Sequence, residues 1–141
     1  MTAPTTYDIH TDIPFPPLSL IDAVGLAGRA PSKWWNQSLA RVNDCVIRLG
    51  VFEGEFHWHK HEREDEYFQV VEGELLLDLE PVGGDAAALT GGGRTARPGR
   101  TASLQPGQGM LVPRNVVHRT RAPRRTVVLM FEAATVTPTG D

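Results

Sequence analysis

The chain reads as one all-β domain, a sandwich or barrel of short strands. Two observations carry that reading. From Ser38 onward, β-branched and apolar residues come in runs of about five to eight, cut by Gly, Pro, Asn or Asp. No long segment shows the apolar period of a helix, and no motif recurs at the spacing of a repeat protein. With 141 residues, a single domain has chain enough to bury a core without disulfides.

Taken in order, Met1 to Pro17 holds four prolines. Proline removes backbone donors and turns the preceding residue away from helix, so this arm is expected to be extended or disordered. Leu18 to Ala30 suits a short helix with Ser19 as its N-cap; Gly25 and Gly28 weaken it and Pro31 ends it. Strands are predicted near 38–43, 45–52, 55–61, 65–72, 74–80, 101–105, 109–112, 116–121 and 126–133. Turn residues stand at Asn43-Asp44, Gly54, Glu72-Gly73, Pro106-Gly107 and Pro113-Arg114-Asn115. The stretch 82–100 has six glycines, one proline and three arginines, and is expected to be a long mobile loop, a tolerated surface insertion rather than a lid. The organisation is thus an arm over 1–37, a barrel over 38–133 and a short tail over 134–141.

Composition narrows the partners. Hydrophobic residues make up 40% and charged residues 22%, ordinary values for a soluble globular protein. A net charge of −3 offers no basic field for nucleic acid or an anionic membrane. The N-terminus lacks the basic and apolar regions of a signal peptide, and no apolar run approaches the ~20 residues that span a bilayer. The expected setting is cytoplasmic. Cys45 is the single cysteine, which excludes an internal disulfide and a multi-cysteine zinc site and fits a reducing compartment.

The segment GEFHWHKHEREDEYFQVVEG, Gly54 to Gly73, carries the chemistry. In a strand, His57, His59 and His61 leave one face, because the side-chain period is two. A tight turn through Glu62–Glu64 brings Glu66 back beside them. Imidazoles and a carboxylate converging on one face suit Zn, Mn, Fe, Ni or Co. His118, reached through a Pro-Gly turn, a short strand and a Pro-Arg-Asn turn, supplies a ligand from a distant strand, and a barrel brings such strands face to face.

These spacings resemble the two motifs of the cupin superfamily. In G-x5-H-x-H-x(3,4)-E-x6-G, His59-Lys60-His61, Glu66 and Gly73 match from the first histidine onward. In G-x5-P-x-G-x2-H-x3-N, Gly107, Pro113 and His118 match. The opening glycine, Gly54, falls one residue late. Asn115 stands where the family has glycine, and Asn tolerates left-handed backbone. Ala122 replaces the final asparagine. A shifted frame with His57 and His59 as the pair fails, because residue 71 is Val and not Gly. The resemblance covers roughly residues 38 to 133. It implies a double-stranded β-helix, or jelly-roll barrel, and one divalent metal (Fe, Mn, Ni or Zn) on His59, His61, Glu66 and His118.

His57 points the same way and is read as a rim histidine. Phe68 is expected in the core beneath the metal, and Met110 and Val112 beside it. Trp58 is expected on the outer face or in a dimer contact, and Trp34-Trp35 just before the barrel in packing or an interface. Cys45, in phase with Ile47 and Leu49, is expected to be a buried core thiol, with Arg48 on the opposite face and without a role. Arg119, Arg121, Arg124 and Arg125 are expected to be surface charges.

Cupins include dioxygenases, decarboxylases, isomerases, epimerases, cyclases, storage proteins and sensor domains, and fold does not choose among them. Short single-domain bacterial members similar to this one are often described as mannose-6-phosphate isomerase-like. A three-histidine, one-glutamate set resembles cupin oxygenases and decarboxylases, so the leading expectation is dioxygenase chemistry on a small-molecule substrate, with Glu66 and His57 moving protons. The alternatives are a non-redox isomerase or cyclase and a non-catalytic small-molecule-binding module. The resemblance also implies a homodimer.

Overall fold

A computed structural model describes residues 6–80 and 99–141. Among them are eight strands and one helix: β1 (Asp8–His10), α1 (Ala23–Gly28), β2 (Trp34–Val42), β3 (Cys45–Glu55), β4 (Glu66–Glu72), β5 (Leu75–Leu79), β6 (Thr101–Leu104), β7 (Gly109–Val112) and β8 (His118–Ala133). The sheet runs β1-β2-β3-β8-β4-β7, with β5 pairing β8 and β6. All pairs are antiparallel except β1 on β2. The architecture is a jelly roll, as expected. The glycine-rich stretch lies almost entirely outside the described residues.

β8 organises the barrel. Its first residues, His118 to Arg121, pair with β5, while its remainder lies between β3 and β4. The sequence suggests two strands here, at 116–121 and 126–133; instead one 16-residue strand bends through Pro123. The bend is matched by a bulge on β3 between Phe52 and Gly54, where Gly54 takes φ 105°. Gly73, at φ 88° in the β4–β5 turn, is needed for space as well, because a Cβ there would meet Thr126 Oγ1.

Other boundaries differ from the sequence reading. β2 opens at Trp34, not 38, and part of the proline-rich arm is a strand, β1, laid parallel on it. The helix is shorter than 18–30, and Asp22 caps it rather than Ser19, its carboxylate accepting from Gly25 N at 3.0 Å. Leu18 and Leu20 are left exposed.

The sheet is covered on both faces, which decides where each side chain goes. Inside lie Trp34, stacked on Phe52 at 4.3 Å, with Phe56, Phe68, Val70, Val128 and Met130. Outside, beneath α1, lie Trp35, Leu39, Leu49, Val51 and Val127. The two adjacent tryptophans therefore serve opposite cores. The alternation along β3 is also opposite to the expectation. Leu49 and Ile47 belong to the outer cluster, Cys45 at the strand's end is exposed, and Arg48 points into the barrel, buried. An apolar run reads as core-facing from sequence, but here the helix supplies a second apolar cover.

Candidate metal centre

The strand expected at 55–61 ends at Glu55, and the histidines follow in an extended segment held by its neighbours. His59 and His118 form an isolated antiparallel bridge, exchanging backbone hydrogen bonds of 2.9 and 2.8 Å. His61 is anchored next to the following turn, its carbonyl accepting from Asn115 N at 2.8 Å. Asn115 takes φ 67°, the conformation a glycine would supply at that motif position. Glu66 opens β4 with its side chain turned inward.

One ligand atom from each of His59, His61, Glu66 and His118 lies within 4.8 Å of the other three. Glu66 Oε1 is 3.4 Å from His118 Nε2 and 3.7 Å from His61 Nε2. His118 Nδ1 donates to the Val116 carbonyl at 2.8 Å and His59 Nδ1 to the His57 carbonyl at 3.0 Å, which leaves each Nε2 as the free lone pair. Both ring nitrogens of His61 and Nε2 of His118 are buried without a hydrogen-bond partner. Buried imidazole nitrogens rarely stay unpaired, and a shared cation satisfies them together. The residues fit a divalent metal.

The electrostatics agree. Burial, reinforced by the His118 ring, pushes His59 down to about 4, keeping it neutral and able to ligate. Burial alone would raise Glu66, but Glu132, His118 and His61 outweigh it and hold the carboxylate well below its usual range. His61 is desolvated too, yet the carboxylate of Glu66 raises it.

His57 stands at the rim, exposed. Its Nε2 donates to the Thr139 carbonyl at 2.6 Å and its Nδ1 lies 3.3 Å from the Tyr7 hydroxyl. Its ring centre is 5.4 Å from that of His59, but it is outside the converging set of four. The segment after β8 folds back over this rim. Asp141 accepts from Glu62 N at 2.6 Å, and a Cβ at Gly140 would meet His59.

Beside the four candidate ligands lies a small chamber walled by Trp34, Phe52, Phe56, Phe68, Met130 and Pro138, with Asn36, Thr120 and Glu132 as its polar groups. Phe68 is buried as expected; Met110 is half-buried and Val112 buried. Glu132 and Arg48 are the residues that sequence reasoning missed. Glu132 is the cross-strand partner of Glu66, and both side chains lie on the inner face and line this chamber. Burial, then the charge of Glu66, pushes Glu132 up to about 10. Arg48 Nε meets Glu132 Oε1 at 2.9 Å from the next strand. A lone carboxylate in the otherwise apolar run VVLMFEA was the available signal; its face was not legible without the register.

The remaining charges lie outside. Arg119 and Arg121 point away from the metal ligands and converge on Asp78, and Arg119 also covers the half-exposed Trp58 ring at 4.9 Å. Arg124 and Arg125 are exposed. No helix among the described residues is long and apolar enough to cross a membrane.

No family model matches the sequence. The uncharacterized protein YdbB of Bacillus subtilis (strain 168) is 38% identical over 109 residues, covering 77% of this chain and 81% of its own. A cupin-2 domain protein from Shewanella frigidimarina NCIMB 400 superposes with a TM-score of 0.64 at 25% identity, over 81% of this chain and 94% of that one. Two further solved structures share the fold at lower identity. Hydroquinone 1,2-dioxygenase from Sphingomonas sp. TTNP3, solved with 4-hydroxybenzoate bound, has a TM-score of 0.66 at 17% identity, covering 84% of this chain and 33% of that enzyme. KdgF from Halomonas sp. has a TM-score of 0.56 at 20% identity, covering 74% and 81%.

Proposed function

The chain belongs to the cupin superfamily, and from that premise we propose that it binds and transforms a small organic metabolite at a divalent metal held by His59, His61, Glu66 and His118, by dioxygenase-type chemistry. The observation that carries the proposal is the convergence of three imidazoles and one carboxylate, with orphaned buried nitrogens, beside an aromatic-walled chamber. His59, His61, Glu66 and His118 would hold the divalent ion, which would supply Lewis acidity toward a substrate oxygen. The chamber's aromatic walls exclude bulk water, and its free volume of about 20 Å³ gives room beside the four residues for a molecule about the size of water. Glu66 and His57 are the proposed proton carriers: Glu66 faces the reacting centre, and His57 connects the rim to solvent. The fold likeness to a dioxygenase and the donor set support O2 chemistry over the non-redox alternatives.

The first test is elemental analysis of the purified protein beside a His59→Ala/His118→Ala double variant, followed by oxygen-electrode assays with enediols, diketones, flavonols and thiols. The expected result is one Fe, Mn or Ni per chain, absent from the variant, with O2 uptake matched to loss of one substrate class. One Zn per chain without O2 uptake would move the assignment to isomerase or cyclase chemistry. Metal that no probe perturbs would leave a binding module. No metal after reconstitution would overturn the site.

A further inference from the structure

The interior of a barrel this small is expected to be apolar, yet three charged side chains stand in a row across it. Arg48 on β3, Glu132 on β8 and Glu66 on β4 are 4%, 4% and 6% exposed. Glu66 and Glu132 are directly opposed in the β4–β8 ladder, so both side chains leave the same face. Arg48, two residues further along, faces the same interior from the other flank of β8 and meets Glu132 at 2.9 Å. Removing three ionisable groups from water is costly, and apolar residues of similar size would serve the fold as well or better. The row therefore serves something other than packing.

We propose that Glu132 is a positioning residue for the metal centre: braced by Arg48, it hydrogen-bonds Glu66 and fixes the orientation in which that carboxylate faces the three imidazoles. A carboxylate at the start of a strand has free rotation about several bonds, and a ligand pre-set in one rotamer forfeits less entropy on binding. His59 and His118 are already oriented by carbonyls at their far nitrogens. Among the described residues Glu66 has no backbone donor of that kind, and Glu132, directly opposite it, stands in the equivalent place. The brace matters because β8 carries both Glu132 and His118, so one strand sets two of the four ligand positions, one directly and one through Glu66. Outer partners of metal ligands commonly control affinity by about 10–100-fold.

This inference rests on the metal reading above, and Co2+ alone serves as the probe for both. Visible absorbance of Co2+ titrated into metal-free protein reports affinity and ligand geometry without any turnover. Wild type, Glu132→Gln, Glu132→Ala and the volume-keeping double variant Arg48→Met/Glu132→Met are compared, with thermal melts of each metal-free protein. Gln retains a donor to Glu66 and is expected to bind within a few-fold of wild type with the same spectrum. Glu132→Ala and the double variant are expected to bind about 10–100-fold more weakly, with an altered Co2+ band. The double variant removes Arg48 and Glu132 together, so neither is left buried without the other, and it answers the question if the alanine variant fails to fold. Wild-type affinity in that double variant, or equal weakening by Gln and by Met, would overturn the positioning role while leaving the metal site standing. Failure of the wild type to bind Co2+ would overturn the metal reading itself.

Discussion

Asn115 sits at φ 67° and donates its backbone N–H to the His61 carbonyl. Left-handed backbone costs most residues about 1–2 kcal/mol, while Asn pays less and Gly least. Asn115→Gly is therefore expected to be neutral within a few tenths of a kcal/mol, and Asn115→Val to destabilise by about 1–2 kcal/mol, as read from urea denaturation. Because the same residue fixes His61, the Val variant should also hold metal less tightly. The four candidate ligands were legible because each carries its own spacing signal: His59 and His61 alternate, and Glu66 and His118 follow punctuated turns. Arg48 and Glu132 carried none. A single charged residue in an apolar strand reads as outward-facing, and only the pairing of β3 with β8 and of β8 with β4 shows both turned inward.

At the level of elements, Asp78 ties the first half of β8 to β5 and β6. Its Oδ2 accepts from Arg119 Nε at 2.7 Å and Arg121 Nε at 2.6 Å, and its Oδ1 from Arg121 Nη2 at 2.9 Å and Thr101 Oγ1 at 2.6 Å. Arg121 above all, then Thr101 and Arg119, outweighs burial and holds the carboxyl well below its ordinary range. A carboxylate depressed in the folded state contributes stability above its ordinary value near 3.8 and loses it as pH falls toward the folded value. Asp78→Asn should cost about 1–3 kcal/mol at pH 7 and show a shallower loss of stability below about pH 4 than wild type, measured by thermal melts across pH.

The segment after β8 is a second element with a consequence for the site. The sequence suggests only a short tail, but its turn places Pro138 against the chamber, Thr139 on His57 and Asp141 on the backbone of Lys60 and Glu62. Ending the chain after Val136 should leave the barrel folded and let a chelator strip the metal several-fold faster. An unchanged rate of metal loss would show that this segment does not restrict access.

Across the whole molecule, the apolar surface is uneven. Leu18, Leu20 and Val24 are exposed together near α1, with Val42 exposed at the end of β2. An arm laid on the edge of the sheet with exposed leucines suits burial by a second copy, and the proposed homodimer predicts twice the 15.5 kDa chain mass in light scattering. Leu18→Ser/Leu20→Ser should shift the mass toward a single chain if that surface is the contact.

By itself the sequence determined the all-β class, the turns and the four candidate ligands, because those follow from local period, backbone chemistry and spacing. Gly73 and Asn115 are residue types that tolerate left-handed backbone, and both adopt it. The tertiary structure alone decided which face of β3 looks inward, that two predicted strands are one bent β8, and that Arg48 and Glu132 stand behind Glu66. Those outcomes depend on cross-strand register and on α1 covering the sheet's outer face. A period of two records that side chains alternate; which half of them faces the interior is set only when the strands are paired and both faces are covered.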